Sequence, residues 1–234
     1  MDTILQTPMF GILLSLVAFE LGLVIQKKTK LIFLNPLLLA ILFIIGFLLI
    51  TNIDLKQYQL GGNIIHLFLG PATVVLAVPL YQQVQSLKNY FVPIMIGIAV
   101  GILVGISATL ICCYVASLEP GMVASILPKS ITTPIGIELS LELGGTEAIT
   151  VLTILVTGIM GAVICEPVCK LFKIDHPIAK GIALGTSAHA IGTSKALQLG
   201  HIEGAMSSLA IGVSGILSVI IIPFIWTFVQ SFFY

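Results

Sequence analysis

The chain has 234 residues, of which 58% are hydrophobic and 9% charged, and its formal net charge at pH 7 is zero. Soluble domains carry about 25% charged residues, so this composition, with a mean hydropathy of +1.16, excludes an ordinary soluble protein and indicates an integral membrane protein. Zero net charge argues against a nucleic-acid partner. All ten basic residues are Lys. Because there is no Arg, a bound anion must be held by Lys, hydroxyl groups or backbone amides.

Apolar stretches long enough to span a bilayer, which takes about 20 residues, follow one another along the chain. The clearest candidates are 8–25, 31–51, 91–117, 146–171 and 203–230. A further apolar stretch, 62–86, is interrupted by Pro71 and Pro79, and a short polar loop is predicted at 52–61. We therefore expect an all-α polytopic membrane protein with about six full spans.

Two less apolar segments, 122–143 and 178–199, each carry a polar break near the middle and precede a long apolar stretch. This order predicts an internal repeat of a broken segment followed by a full span. Paired interrupted segments are typical of the binding sites of secondary transporters. We expect a single domain over 1–234, with N-terminal helices in 1–117 and both repeats in 118–234. The alternative is a pair of amphipathic helices on the membrane surface, although neither segment has a Lys-rich face.

The distribution of Lys predicts the orientation in the membrane. The Lys cluster at 27–30 places the first loop in the cytoplasm, so the N-terminus lies outside. If the first segment, 122–143, re-enters from outside, Lys170 and Lys173 also lie in the cytoplasm. The second segment, 178–199, then enters from inside, and the two repeats are inverted. If both segments cross, these two Lys face outward. The Lys bias favours hairpins only modestly, and both arrangements stay open.

The break in the first segment, "KSITTP", predicts half of a binding site. Thr133 is the expected N-cap and Pro134 the first residue of a half-helix. The free N–H groups and the positive end of the dipole at such a helix start suit an anion. The hydroxyl groups of Thr132 and Thr133 add hydrogen-bond donors.

The second half of the site is predicted in "GTSAHAIGTSKALQLG", residues 185–200. Thr193 is the expected cap of the half-helix "SKALQL", while Gly185 and Gly192 permit close backbone approach. The alternative to a binding site is that these hydroxyl groups only form hydrogen bonds between packed helices. The remaining candidate ligands in this stretch are Thr186, Ser187, His189 and Lys195.

Ionisable residues at membrane depth are functional candidates. Burial favours the neutral forms of Glu138 and His189, so either could carry a coupling proton. Glu138 could instead pair with Lys129 or Lys195, and His189 could be structural. Lys195 could complement an anionic substrate or reach the membrane surface.

No catalytic, metal or cofactor site is expected. The sequence has no H-E-x-x-H motif and no Ser with an evident base, so the chain is not predicted to be an enzyme. Glu166 and Lys170 are predicted to pair along one helix. The four cysteines lie in apolar stretches with no His near them, which does not suit zinc: Cys112, Cys113, Cys165 and Cys169.

These motifs carry a family resemblance. "LPKSITTPIGIELS", "GGTEAIT", "DHPIAKGIALGTSAHAIGTSKALQLG" and "EGAMSSLAIG" resemble the LrgB/CidB family of antiholin-like membrane proteins. "NPLLLA" and "GPATVVLAVPLY" extend the resemblance over nearly the whole chain. The Glu in "GIELS" favours the CidB-like branch, whereas Gln198 stands where many relatives carry Glu.

The resemblance implies a multi-pass protein of the bacterial plasma membrane with one of two functions. Some members are named as holin or antiholin modulators of murein hydrolase export and cell lysis, acting with a small LrgA/CidA-like membrane partner. Others are similar to plastid glycolate/glycerate translocators or are implicated in pyruvate uptake. We expect secondary, proton-coupled transport of small monocarboxylates by alternating access, with lysis regulation as the alternative. The expected partners are a small anionic substrate, the lipid bilayer, a second copy of the chain in a homo-oligomer and the LrgA/CidA-like protein.

Overall fold

The structure, a computed structural model, describes residues 6–29, 36–68 and 90–233, together with Pro71, Tyr81, Gln85 and Lys88. The regular structure in this part of the chain is helical, which confirms the predicted all-α class. Its nine α-helices are α1 (Pro8–Thr29), α2 (Pro36–Thr51), α3 (Leu55–Leu67), α4 (Phe91–Val115), α5 (Pro120–Ile126), α6 (Thr133–Glu142), α7 (Glu147–Leu171), α8 (Pro177–Leu199) and α9 (His201–Val229). A 3-10 turn, Gln230–Phe232, follows α9.

Four of these helices, α1, α4, α7 and α9, are long and apolar enough to cross a membrane, and α2 is a shorter apolar helix of 16 residues. The chain is therefore a multi-pass membrane protein. The described spans number fewer than the predicted six. Residues 31–35 and most of the predicted span 62–86 lie outside the described residues.

The predicted polar loop at 52–61 is wrong, since α3 begins within it. The Asp54 carboxylate accepts a hydrogen bond from the Lys56 amide at 3.0 Å and caps the helix start. Polar and apolar residues alternate here with helical period, as in an amphipathic helix. Polarity alone does not distinguish a loop from an amphipathic helix, whereas an N-cap residue such as Asp54 marks a helix start.

The described residues fall into two compact units, Met1–Val75 and Leu76–Tyr234. In the first unit, α1 and α3 approach backbone to backbone, since a Cβ on Gly61 would lie 2.7 Å from Gly11 Cα. The hydroxyls of Ser15 and Tyr58 share a hydrogen bond of 2.9 Å across the same contact. Single-domain organisation over 1–234 stays a prediction.

The core of the second unit is built on one face of α4. Buried isoleucines recur every fourth residue along this helix and belong to one core cluster with buried residues of α5, α6, α8 and α9. Other faces of α4 expose apolar side chains such as Val100 and Val104, as expected for a helix that contacts lipid. The buried isoleucines are Ile94, Ile98, Ile102 and Ile106.

The first interrupted segment folds as a helical hairpin made of α5 and α6. Near its ends, a Cβ on Gly121 would lie 3.5 Å from the Gly144 carbonyl oxygen. Closer to the middle, a Cβ on Gly136 would lie 3.5 Å from the Pro128 carbonyl oxygen. The chain therefore reverses between α5 and α6, at residues 127–132, and both ends of the segment lie together.

Hydrogen bonds close the base of this first hairpin. Gly144 has φ +85°, and the amides of Gly144 and Gly145 donate to the carbonyls of Leu141 and Ser140 at 3.1 and 2.8 Å. These bonds form a Schellman motif that ends α6. The amide of Thr146 donates to Ser125 Oγ at 2.7 Å, which ties the residues after α6 to α5.

The second interrupted segment, α8, also reverses, at His189. His189 has φ 38° and ψ −128°, which are not helical values. A Cβ on Gly192 would lie 2.5 Å from the Leu184 carbonyl oxygen, although residues 184 and 192 of a straight helix are about 12 Å apart. The halves 177–188 and 190–199 therefore form a second hairpin.

Both halves of α8 pack on the same part of α9. A Cβ on Gly185 would overlap the Ser207 carbonyl oxygen, and Thr193 Oγ1 lies 2.7 Å from Ser207 Oγ. The break therefore lies at His189, and the prediction that Thr193 caps the second half-helix is wrong. Of the two arrangements left open by the sequence, the geometry matches the re-entrant one.

The hairpin topology makes a prediction about sidedness. Cysteines introduced by Glu119→Cys and Glu147→Cys, at the base of the first hairpin, should react with a membrane-impermeant thiol reagent from one side only. Cysteines introduced by Asp175→Cys and His201→Cys, at the base of the second, should react from the opposite side only. Labelling of oriented membrane vesicles, located by mass spectrometry, measures this. Labelling of the two positions of one pair from opposite sides would show that the segment crosses.

Candidate functional site

The tip of the first hairpin and the first half of α8 border one cavity of about 950 Å³ in the second unit. Its other walls come from α4, α7, α9 and the residues that precede α8. Most of the lining side chains are aliphatic. Interrupted helices at membrane depth are tolerated where they line a cavity or are buried in protein, and both conditions hold here.

Lys129 brings a positive charge to the cavity wall. The residue is half-buried, and its ammonium group donates to Ser130 Oγ at 3.3 Å. In the part of the chain that the structure describes, the single ion pair joins Lys195 and Glu166, so Lys129 has no carboxylate partner there. An unpaired cation in an apolar cavity favours binding of an anion.

Two of the predicted site residues, Thr186 and Ser187, line this cavity. Thr186 is 8% exposed, and its hydroxyl oxygen has no hydrogen-bond partner among the described residues. Ser187 Oγ donates to the Ala183 carbonyl at 2.6 Å, which leaves its lone pairs free to accept. A buried hydroxyl without a partner costs about 1–3 kcal/mol, so Thr186 is a candidate for a ligand contact.

His189 lies at the second tip and is 3% exposed. Its ring packs against Gly158 of α7, where a Cβ would lie 2.9 Å from His189 Cε1. The carbonyl groups of Lys129 and Ile154 are near the imidazole, but no described atom meets hydrogen-bond geometry with Nε2. His189 therefore joins the two tips and is not among the residues that line the cavity.

The predicted ligands of the first segment lie outside the cavity lining. Thr132 is the N-cap of α6, one residue earlier than predicted, and Thr133 is the first helical residue. The Thr132 hydroxyl makes no capping hydrogen bond, and both residues are half-buried. Glu138 is exposed on α6.

The other predicted ligands hold the second hairpin together. Gly192 and Thr193 are buried in the contacts described above. Lys195 Nζ lies 2.5 Å from Glu166 Oε1 of α7. The predicted pair of Glu166 with Lys170 is therefore wrong, because the second half of α8 brings Lys195 to this carboxylate.

Sequence reasoning missed Lys129 as a cavity residue and treated it only as a partner for Glu138. The available signal was its place beside Pro128, inside the polar break of the first segment. A Lys at such a break is a functional candidate for the same reason as any intramembrane charge. Within the described ranges, no three His, Cys, Asp or Glu side chains come together as metal ligands.

The profile of the LrgB-like family matches residues 15–228. The chain belongs to the LrgB-like family. Antiholin-like protein LrgB of Bacillus cereus strain B4264 is 37% identical over 225 residues, which cover 96% of this chain and 98% of the relative. Antiholin-like protein LrgB of Bacillus anthracis strain CDC 684 / NRRL 3495 matches with the same identity and coverage. No solved structure matches the chain significantly.

Membership of the LrgB-like family confirms the resemblance seen in the hairpin motifs. Together with the apolar helices, it places this LrgB-like protein in a bacterial cell membrane as a multi-pass protein. The relatives carry the name antiholin-like protein and not the name of an enzyme.

The Thr193–Ser207 hydrogen bond predicts a stability effect. Thr193→Val should lower the stability of the purified protein by about 1 kcal/mol, because Ser207 loses its buried partner. Ser207→Ala added to Thr193→Val should restore part of the loss, since both polar groups are then gone. Thermal unfolding in detergent measures this, with Ser194→Ala, an exposed neighbour in the same half-helix, as the control. Equal destabilisation by Ser194→Ala would contradict the assignment.

Proposed function

We propose that this LrgB-like protein is a secondary transporter of small monocarboxylates such as glycolate, glycerate or pyruvate. The observation that carries the proposal is the cavity at the hairpin tips, with Lys129 as a cation that has no carboxylate partner among the described residues. One carboxylate would neutralise one ammonium group. In the absence of Arg, a single Lys with neighbouring hydroxyls suits a singly charged anion.

The mechanism follows from the two hairpins. The carboxylate binds at Lys129, and Thr186 and Ser187 contact the 2-oxo or 2-hydroxy oxygen. Thr132 and Thr133 lie outside the cavity lining in this conformation, and movement of the first hairpin brings them, with the N-terminal amides of α6, to the anion. Alternating access then exposes the cavity to one side at a time by movement of the hairpins against the spanning helices. Glu138 or His189 carries the coupling proton.

The relatives' name supports a second candidate function, an antiholin-like regulator of murein hydrolase export and cell lysis. In that case the protein works with a small LrgA/CidA-like membrane protein, and the polar clusters serve packing in an oligomer of identical chains. We also propose, from the Glu of "GIELS", Glu138, that the protein belongs to the CidB-like branch. A pore passes unrelated solutes of similar size, whereas a carrier saturates and discriminates.

Lys129→Gln should lower saturable uptake of labelled glycolate and pyruvate into proteoliposomes by about tenfold or more, since a charge-assisted hydrogen bond is lost. Lys170→Gln, an exposed Lys in the last turn of α7, is the matched control and should transport normally. Equal loss in both variants would contradict a role for Lys129 in binding.

The same proteoliposomes test coupling. Uptake by the unmodified protein should rise under an inward proton gradient, and Glu138→Gln or His189→Gln should remove that stimulation. Non-saturable passage of neutral solutes, or no uptake with the small partner also present, would favour the lysis regulator.

A further inference from the structure

One face of α4, which we call the glycine face, is formed by Gly97, Gly101 and Gly105 and lines the cavity. Residues four apart share one face of a helix. A Cβ on Gly97 or Gly105 would meet no atom within 4 Å, whereas a Cβ on Gly101 would lie 3.0 Å from Thr186 Cγ2. The glycine face therefore leaves open space one turn to either side of the Thr186 contact.

The Thr186 side chain packs against the middle of this face. It is more than nine-tenths buried and has no hydrogen-bond partner in the described part of the chain. Buried polar groups in proteins are nearly always hydrogen-bonded. A Cβ on Gly101 would meet the Thr186 methyl group and no hydroxyl oxygen within 4 Å, so the apolar side of Thr186 forms part of the glycine face.

The size and lining of the cavity show what the rest of that ligand should be. A volume of about 950 Å³ is at the upper end of pockets for drug-sized ligands, which span about 300–1,000 Å³. Pyruvate would fill a small part of it. His176, two cysteines and several hydroxyl groups also line the cavity with Lys129, but most of the wall is apolar, with Ile102, Ile106, Val156, Met160, Ile178 and Ile182 among its residues.

We propose that the glycine face holds the apolar body of the transported anion and sets its greatest width. The substrates therefore include monocarboxylates with a branched aliphatic body, in addition to small polar ones. The carboxylate binds Lys129, and the body leaves water for the aliphatic wall, which is favourable. This inference rests on the transport function proposed above.

The test compares uptake of labelled 4-methyl-2-oxopentanoate, a branched 2-oxo acid, with uptake of pyruvate in proteoliposomes. Gly97→Leu and Gly105→Leu each add a side chain where a Cβ meets no atom within 4 Å. Gly212→Leu on α9 is the matched control, because a Cβ there also meets no atom within 4 Å and Gly212 does not line the cavity.

The unmodified protein should transport both acids. Gly97→Leu or Gly105→Leu should lower the ratio of branched-acid uptake to pyruvate uptake by about tenfold, and Gly212→Leu should leave that ratio unchanged. An equal loss of both acids, or the same selective loss in Gly212→Leu, would overturn the proposal. So would uptake of pyruvate alone by the unmodified protein.

A second readout does not need transport. Cysteines introduced by Gly97→Cys and Gly105→Cys should react with a water-soluble thiol reagent, located by mass spectrometry, and 4-methyl-2-oxopentanoate should protect them better than pyruvate. Protection of these cysteines from the reagent, without uptake of either acid, would show that the glycine face binds the anion although the proposed transport function is wrong. Absence of labelling, or equal protection by both acids, would overturn the inference.

Discussion

The structure depends on one constraint, which is that backbone polar groups at membrane depth must be satisfied without water. Two helices are interrupted in the second unit, and each interruption frees amide and carbonyl groups. The tips of the two hairpins are buried inside the protein, where His189 lies beside the carbonyl groups of Lys129 and Ile154. The open space that remains beside them is the cavity. The close packing of α7, α8 and α9 through small residues makes this arrangement possible, because glycines such as Gly158 and Gly185 admit neighbouring atoms where a side chain would clash.

The electrostatics of the second unit follow from the same arrangement. The Lys195–Glu166 pair joins the second half of α8 to α7, so the Glu166 carboxylate already has a cation partner other than Lys129. The cation that remains lies at the other hairpin, on the cavity wall. The hairpins therefore differ in role, since the second provides the buried contacts and the first provides the charge.

Much of the fold could be predicted from the sequence, because a run of about 20 apolar residues is a strong signal for a span. The positions of both interruptions were also predicted to within a few residues. Whether a segment crosses or returns could not be predicted, because a hairpin and a span of equal length have the same composition. The contact of Gly192 with Leu184 shows that α8 returns and does not cross. Such a contact depends on the three-dimensional fold and is not visible in the sequence. For the same reason Thr193 was predicted as a cap, although its hydroxyl is used by Ser207, and Lys129 was not predicted as a cavity residue.

Gly200 alone separates the second hairpin from α9, and both halves of that hairpin pack on α9 near Ser207. This short connection has a consequence for biosynthesis. The ribosome makes the hairpin before the helix that supports it, so residues 177–199 have no partner on α9 when they emerge. The hairpin can be placed only after α9 has been made, whereas α4 precedes the first hairpin in the chain and can already be in the membrane. The last helix is thus the step that completes assembly, and a chain that stops before it would leave the second hairpin's polar backbone exposed to lipid or to quality-control proteases.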